Sequence, residues 1–581
     1  MKTLFSTLRR LALALLAAAP LVRAAATSDV VMQAMRDELA RSTAQLQLEN
    51  LEKPYFISYR VLERRSQGVA AEFGSTLNRG ESRSRLLNVE LRVGSPAIDN
   101  TNFQAGMSSA GSMQGGLTAQ LSLDDDYTVL RRQIWLASDR AYKQAVELLS
   151  KKRAVLQNKT RTDDTPDFSP QEPATITDLH PGKPINLDQA EALARELSAV
   201  FRETPAVATS NVSLSASEET TRYLNSEGST FVRSGFQVSV VARAATQADD
   251  GFALDDHFLL FRRSWETLPP KAELLAALRD LGARLTAQRK AALPEQYNGP
   301  VLFEGQAAAE LFAQAFAPNL IGRHRPVTEG NMPAMLAGAD NPFLDKLGAR
   351  VLPDFLNVTD DPTRTELSGV PLLGDSRVDD EGVPTHPVSL VEKGRLKTLL
   401  VSRSPVRGVL KSTGSAQGSG PAPSNLLVTA SDGLDDAALK AELLKLVAQR
   451  GKDYGVIVRR LGDPLLRTER TPIIISSSSG SRGPRIEPAL LAVKVFPDGR
   501  EEPLRNVEIA GVDAPTFKDI LCAGREPHVL TIPFRAQLLG GGGIPVCSFA
   551  VPSLLFEDVT LKKPTGEVPQ PPVAKHPFFA K

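Results

Sequence analysis

The order helix, strands, helix occurs twice in the first half of this chain, and that repetition constrains its fold more than any other feature. In the first pass, "DVVMQAMRDELARSTAQLQLENL" sets apolar residues at helical spacing among good helix formers. "YFISYRVLERR" and "RLLNVELRVG" then alternate as half-buried strands do, with a further strand and turn in "AEFGSTLNRGES" between them. A Gly/Ser/Met-rich loop follows, "QAGMSSAGSMQGG", and a long helix over "YTVLRRQIWLASDRAYKQAVELLSKKRA" closes the pass. In the second pass Asn186 caps a helix, with Gln189 three residues on at capping-box spacing. Leu187, Ala190, Leu193, Ala194, Leu197, Val200 and Phe201 form its apolar stripe. Strands follow in "ATSNVSLSAS" and "TRYLNSEGSTFVRSGFQVSVVARAATQ", with Asn225-Ser226-Glu227-Gly228 as the hairpin turn. The helix "AELLAALRDLGARLTAQRKAAL" ends before Pro294.

The expectation is an α+β fold: an N-terminal α+β domain over 27–295 with a possible internal duplication, its passes joined by an extended Pro/Thr/Asp-rich linker at 159–183. From Gly299 the character changes to short strands, turns and Pro/Gly-rich loops, with one clear helix at "LDDAALKAELLKLVAQR". "PVSLVEKGRLKTLLVS" reads as a hairpin around Lys393-Gly394, and 296–561 is expected to be a mostly β C-terminal domain. Residues 562–581 form a Pro-rich tail expected to be disordered. Two or three domains fit a chain of 581 residues, at about 150 residues each.

A formal net charge of +1 supplies no basic surface for phosphates, so nucleic acid is not an expected partner. The N-terminus has another purpose. Lys2, Arg9 and Arg10 precede the apolar run "LALALLAAAPLV", and "VRAAA" then offers small residues at signal-peptidase spacing. Residues 1–26 read as a signal peptide, cleaved after Ala24 or Ala26. The run is shorter than the roughly 20 residues a bilayer span needs, and Pro20 would break a spanning helix. The mature chain is expected to be periplasmic or extracellular, without a transmembrane segment. In that oxidising setting Cys522 and Cys547 are either bridged or independent buried thiols.

Catalytic motifs are scarce. His180, His257, His324, His386, His528 and His576 include no pair at metal-ligand spacing on one helix. G-x-S-x-G is absent, and "STGSAQGSG" lacks the strand-to-helix setting of a nucleophile elbow. "LGGGGIPVC" lacks the helix that would place a phosphate at its N-terminus, and reads as a tight turn. Asp379, Asp380 and Glu381 form either a turn with Gly382 and Pro384 or the start of a cation site.

Four runs in order, "VLFEGQAAAELFAQAF", "DDEGVPTHPVSLVEKGRLKTLLVSR", "APSNLLV" and "IPVCSFAVPSLLFEDV", resemble the TldD/PmbA metallopeptidase-related family over nearly all of 299–561. The resemblance implies a second domain built as a twisted β pseudo-barrel and two subunits enclosing a cavity. In the active branch, H-E-x-x-x-H on the helix after the first strand binds zinc and activates water. Those positions fall here on Ala313, Gln314, Ala315, Phe316, Ala317 and Pro318, and the later Cys ligand falls near Gln537. Gln314 accepts no proton at neutral pH, and Pro318 would end the helix. The chain therefore resembles PmbA, with no catalytic, cofactor-binding or metal residue of its own. Zinc is expected in a partner, an H-E-x-x-x-H-bearing TldD-like paralogue, and the complex is expected to act on peptides. The alternatives are a peptidase with an unrecognised site, such as His386 with Asp379 and Asp380, or a binding or scaffold protein that keeps only the fold.

Overall fold

A sheet with one apolar and one polar face needs helical cover on one side only, and the first half of the chain is patterned that way. The computed structural model of the protein describes residues 29–105, 116–158, 164–329, 341–418, 420–466, 486–534, 545–564 and 568. Its first sheet contains β1 (Pro54–Glu72), β2 (Ser75–Val93), β3 (Gly116–Gln120), β4 (Thr175–Leu179), β5 (Thr209–Asn225), β6 (Thr230–Gln247) and β7 (Ala253–Arg262). The order across it is β3-β2-β1-β5-β6-β4, with β7 also paired to β6. Helices α1 (Val30–Gln45) and α2 (Tyr127–Asn158) cover one end, burying Met32, Met35, Ile134 and Ala141 against Tyr59, Val61, Leu87 and Val89. Helices α3 (Leu187–Ala199) and α4 (Lys271–Lys290) cover the other, burying Ala190, Ala194, Leu278 and Leu281 against Val212, Leu214, Val238 and Val240. Each end is helix, hairpin, third strand, helix, so the repeated layout of the sequence is a repeat in space.

The hairpin of the first pass is longer than its sequence suggests. The separate strand read in "AEFGSTLNRGES" is instead the tip of two continuous 19-residue arms. They turn at Phe73 and Gly74, both left-handed at φ 44° and 78°. The backbone ladder continues through Ser66↔Ser82 and Gly68↔Gly80 although those positions bury little. In the second pass the Asn186 side chain caps α3 by accepting from the amides of Asp188 and Gln189.

Residues 164–179 are extended, but packed rather than a free tether. β4 pairs in parallel with β6, through the β-branched residues of "TITDL". Phe168 is buried between two guanidiniums, those of Arg92 and Arg403, at 3.9 and 4.1 Å from its ring centre. Arg92 comes from the first sheet and Arg403 from the second half, so this cation–π sandwich ties the halves together.

The second half is one eleven-stranded sheet. Its strands are β8 (Tyr297–Phe303), β9 (Leu356–Asp360), β10 (Val388–Glu392), β11 (Arg395–Leu396), β12 (Asn425–Ala430), β13 (Gly455–Leu461), β14 (Ala489–Val495), β15 (Glu501–Leu504), β16 (Glu508–Ala510), β17 (Ile520–Pro533) and β18 (Val546–Lys562). The path is β11-β10-β9-β12-β18-β8-β13-β14-β15, with β16 and β17 also on β18. β18 thus pairs with four neighbours along its length, and "FAVPSLLF" reads as a continuous apolar run because both its faces are covered. The sheet is open, and no closed barrel forms among the described residues. The hairpin at Lys393-Gly394 forms as expected, both residues left-handed at φ 47° and 69°. Among the described residues no helix is long and apolar enough to cross a membrane.

Candidate functional site

After β8 the chain turns at Gly305, whose φ of 53° favours glycine, and enters α5 (Gln306–Leu311). The helix does not continue regularly. Residues 312–316 widen into a π turn and 317–320 tighten into a 3-10 turn with Pro318 at its start. Such a π turn often marks a functional position, yet this one is filled with rings. Phe312 and Phe316 lie 4.7 Å apart, and Phe517 sits 5.0 Å from Phe316 and 5.9 Å from Phe312. Ala313, Ala315 and Ala317 are buried in the same core. Gln314 is fully engaged: its Nε2 donates to Gly462 O at 2.8 Å and its Oε1 accepts from Glu487 N at 2.9 Å. Glu310, one turn earlier, accepts from Leu461 N at 2.5 Å and Gln306 Nε2 at 2.8 Å. Burial pushes its carboxyl up to about 7, against a smaller opposing pull from Arg460.

The residues at the six inferred positions therefore do not fit zinc. Ala313 and Pro318 carry no donor, and both ends of the Gln314 side chain are bonded to main chain. Among the described residues no three His, Cys, Asp or Glu side chains cluster as metal ligands would. Gln537 and the four glycines after Leu539 lie outside the described residues, as do the Gly/Ser/Met-rich loop from Gly106, the Ser/Gly loop before Ile486 and His576.

A cavity lies elsewhere, between the polar face of the first sheet and loops of the second half. Its volume is about 580 Å³, within the range of ligand pockets. Arg60, Glu90, Tyr223 and Arg233 line it from the sheet, and Arg323, Asp375, Asp380 and Glu381 from the loops. The acidic run that sequence reading left between turn and cation site is a turn. Asp379 Oδ1 accepts from the amides of Glu381 and Val383, both at 2.9 Å, and Oδ2 accepts from Ala416 N at 3.1 Å. Asp380 docks the halves: Arg60 Nη1 donates to it at 2.7 Å, Arg233 Nη2 at 2.5 Å and Gly418 N at 2.7 Å. Burial raises its pKa, but Arg60 and Arg233 outweigh that and hold it below the usual carboxylate range. Burial instead raises Asp379 and Glu381, and nearby carboxylates add to the effect.

The histidines scatter. His180 bonds Asp178, His324 Nδ1 bonds Pro405 O, and His386 is exposed and does not line the cavity that Asp379 and Asp380 share. His257 is buried, and desolvation with Arg460 nearby drives its pKa down to about 3. Cys522 and Cys547 are both free, the latter donating its thiol to Pro423 O. What sequence reading missed is the set of cavity arginines; its one signal was their alternation at Arg60 and Arg64 along β1.

Fold and stretch together define a two-sheet α+β scaffold of the metallopeptidase-related kind, in which the helix after the first strand of the second sheet is a packing element. The family model described as PmbA/TldA metallopeptidase central domain matches residues 180–289, and that described as PmbA/TldA metallopeptidase C-terminal domain matches 295–463. The chain belongs to the TldD/PmbA family. A search of curated proteins returns no match. Among solved structures the fold is shared with TldE from Thermococcus kodakarensis, at 16% identity and a TM-score of 0.54, over 91% of this chain and 99% of that one. It is shared too with a proposed modulator of a DNA gyrase from Thermotoga maritima, at 13% identity and a TM-score of 0.56, over 90% and 99%. A proposed modulator of DNA gyrase from Bacteroides thetaiotaomicron aligns at 14% identity and a TM-score of 0.57, over 92% and 98%.

Proposed function

We propose that this protein is the exported, non-catalytic partner subunit of a zinc peptidase complex that acts on peptides. The observation that carries the reading is the state of Ala313 to Pro318. At the positions where the active branch of the family holds its ligands and base, this chain has a ring-filled core and a glutamine bonded at both ends to backbone. A scaffold retained over both sheets without those groups needs another use, and completing the cavity of an active relative is one. The likeness to TldE over nearly the whole chain agrees with that role. Export follows from the signal-like N-terminus, Lys2 to Ala26. The test is purification of the tagged chain from the native envelope, with mass spectrometry and elemental analysis of the complex. The expected result is co-elution with an H-E-x-x-x-H protein, peptidase activity only in the complex, and zinc stoichiometric with the partner. A chain that elutes alone, or that carries about one zinc itself, overturns the reading.

A further inference from the structure

Among the described residues six arginines line the cavity, Arg60, Arg64, Arg92, Arg233, Arg263 and Arg323. Five are answered by acids. Arg60 and Arg233 share Asp380 at 2.7 and 2.5 Å, Arg64 meets Glu219 at 2.5 Å, Arg92 meets Asp99 at 2.8 Å, and Arg263 meets Asp375. The sixth, Arg323, has no hydrogen bond or ion pair among the described residues. Burial lowers its pKa to about 10, and no carboxylate among the described residues opposes the shift. A guanidinium presents five donors in a planar fork, and those of Arg323 are open to the cavity's solvent rather than sealed in the fold.

The backbone around Arg323 is pinned. Gly322 N donates to Leu400 O at 2.8 Å, and a Cβ at Gly322 would stand 2.8 Å from a methyl of Val401. On the other side His324 Nδ1 bonds Pro405 O at 2.8 Å. Arg323 is thus held between two fixed neighbours and lines the cavity, as Ser402 and Ser404 do.

We propose that this cavity binds a peptide by its free C-terminal carboxylate, clamped in two-pronged fashion by Arg323. A guanidinium fork matches one carboxylate. That the carboxylate belongs to a peptide rests on the peptidase-partner reading; the clamp itself does not.

The experiment is titration calorimetry on the mature chain alone. The probes are acetyl-Ala-Gly-Ala-Gly-Ala as the free acid, the same peptide as its C-terminal amide, and inorganic phosphate. The free acid should bind the native chain at least about tenfold more tightly than the amide, the least a charge-assisted hydrogen bond is worth. R323Q should bind acid and amide equally, and R323K should recover part of the difference. Without peptide, R323Q should melt no lower than the native chain, since it removes a charge that has no partner. Equal binding of acid and amide to the native chain, no binding of either, tighter binding of phosphate, or a lower melting temperature for R323Q each overturns the proposal. Failure to find a partner in the envelope would sink the subunit reading and leave this result standing.

Discussion

Replacing Glu310 by Gln should stabilise the protein most at pH 8 and progressively less as pH falls towards 4. Glu310 is buried on α5, and its carboxyl titrates near 7 in the fold. In the unfolded chain it titrates near 4.3. Between those values the folded state holds the proton and the unfolded state has lost it. Stability therefore declines as pH rises from about 4 to about 7. At about 1.4 kcal/mol per pKa unit, the decline from this one group is roughly 4 kcal/mol once pH exceeds 7. Glutamine keeps an oxygen that can accept from Leu461 N and removes the ionisation. The assay is urea unfolding of both proteins at half-unit steps from pH 5 to 8.5. The midpoint of E310Q should rise relative to the native chain as pH rises, with unchanged m-values. Parallel pH profiles for the two proteins would refute the reasoning, because a carboxyl whose proton is not coupled to folding cannot have the environment described.

Asp380→Asn should loosen the docking of the two halves. It removes the charge that answers Arg60 and Arg233, costs on the order of 3 kcal/mol, and should bring protease cleavage into the loops at 373–385; an unchanged unfolding midpoint and digestion pattern would contradict it. Phe517→Ala opens the ring cluster over the π turn and should cost about 3–5 kcal/mol, read as a lowered midpoint with no change in thiol reactivity at Cys522. Intact mass of protein from the envelope should place the mature start at Ala25 or Thr27; a mass that retains Met1 to Arg23 contradicts cleavage.

How far the molecule could be read in advance depended on whether its contacts were local. Period and turn chemistry are local, so both passes of helix, hairpin and helix were legible, as were the Asn186 cap and the Lys393-Gly394 turn. The arms of the first hairpin were not, because Ser66, Gly68, Gly80 and Ser82 belong to the ladder through backbone pairing and have little apolar signal. The segment around Phe168 looked like a linker because what buries it, Arg92 and Arg403, comes from distant parts of the chain. The same reason separates the two candidate sites. The emptied positions from Ala313 to Pro318 lie in one run and could be compared with a motif residue by residue. The cavity is assembled around six arginines that lie far apart in the chain, from Arg60 to Arg323, and composition sees only a net charge of +1. That near-neutral sum hides the feature that matters. Five cavity arginines are cancelled within the fold by Asp380, Glu219, Asp99 and Asp375, and those charges serve assembly. A charge spent on assembly cannot also recruit a ligand without being released first. Among the described cavity arginines Arg323 is the one left to act outward, so a single substitution there can test recognition while the docking of the halves stays intact.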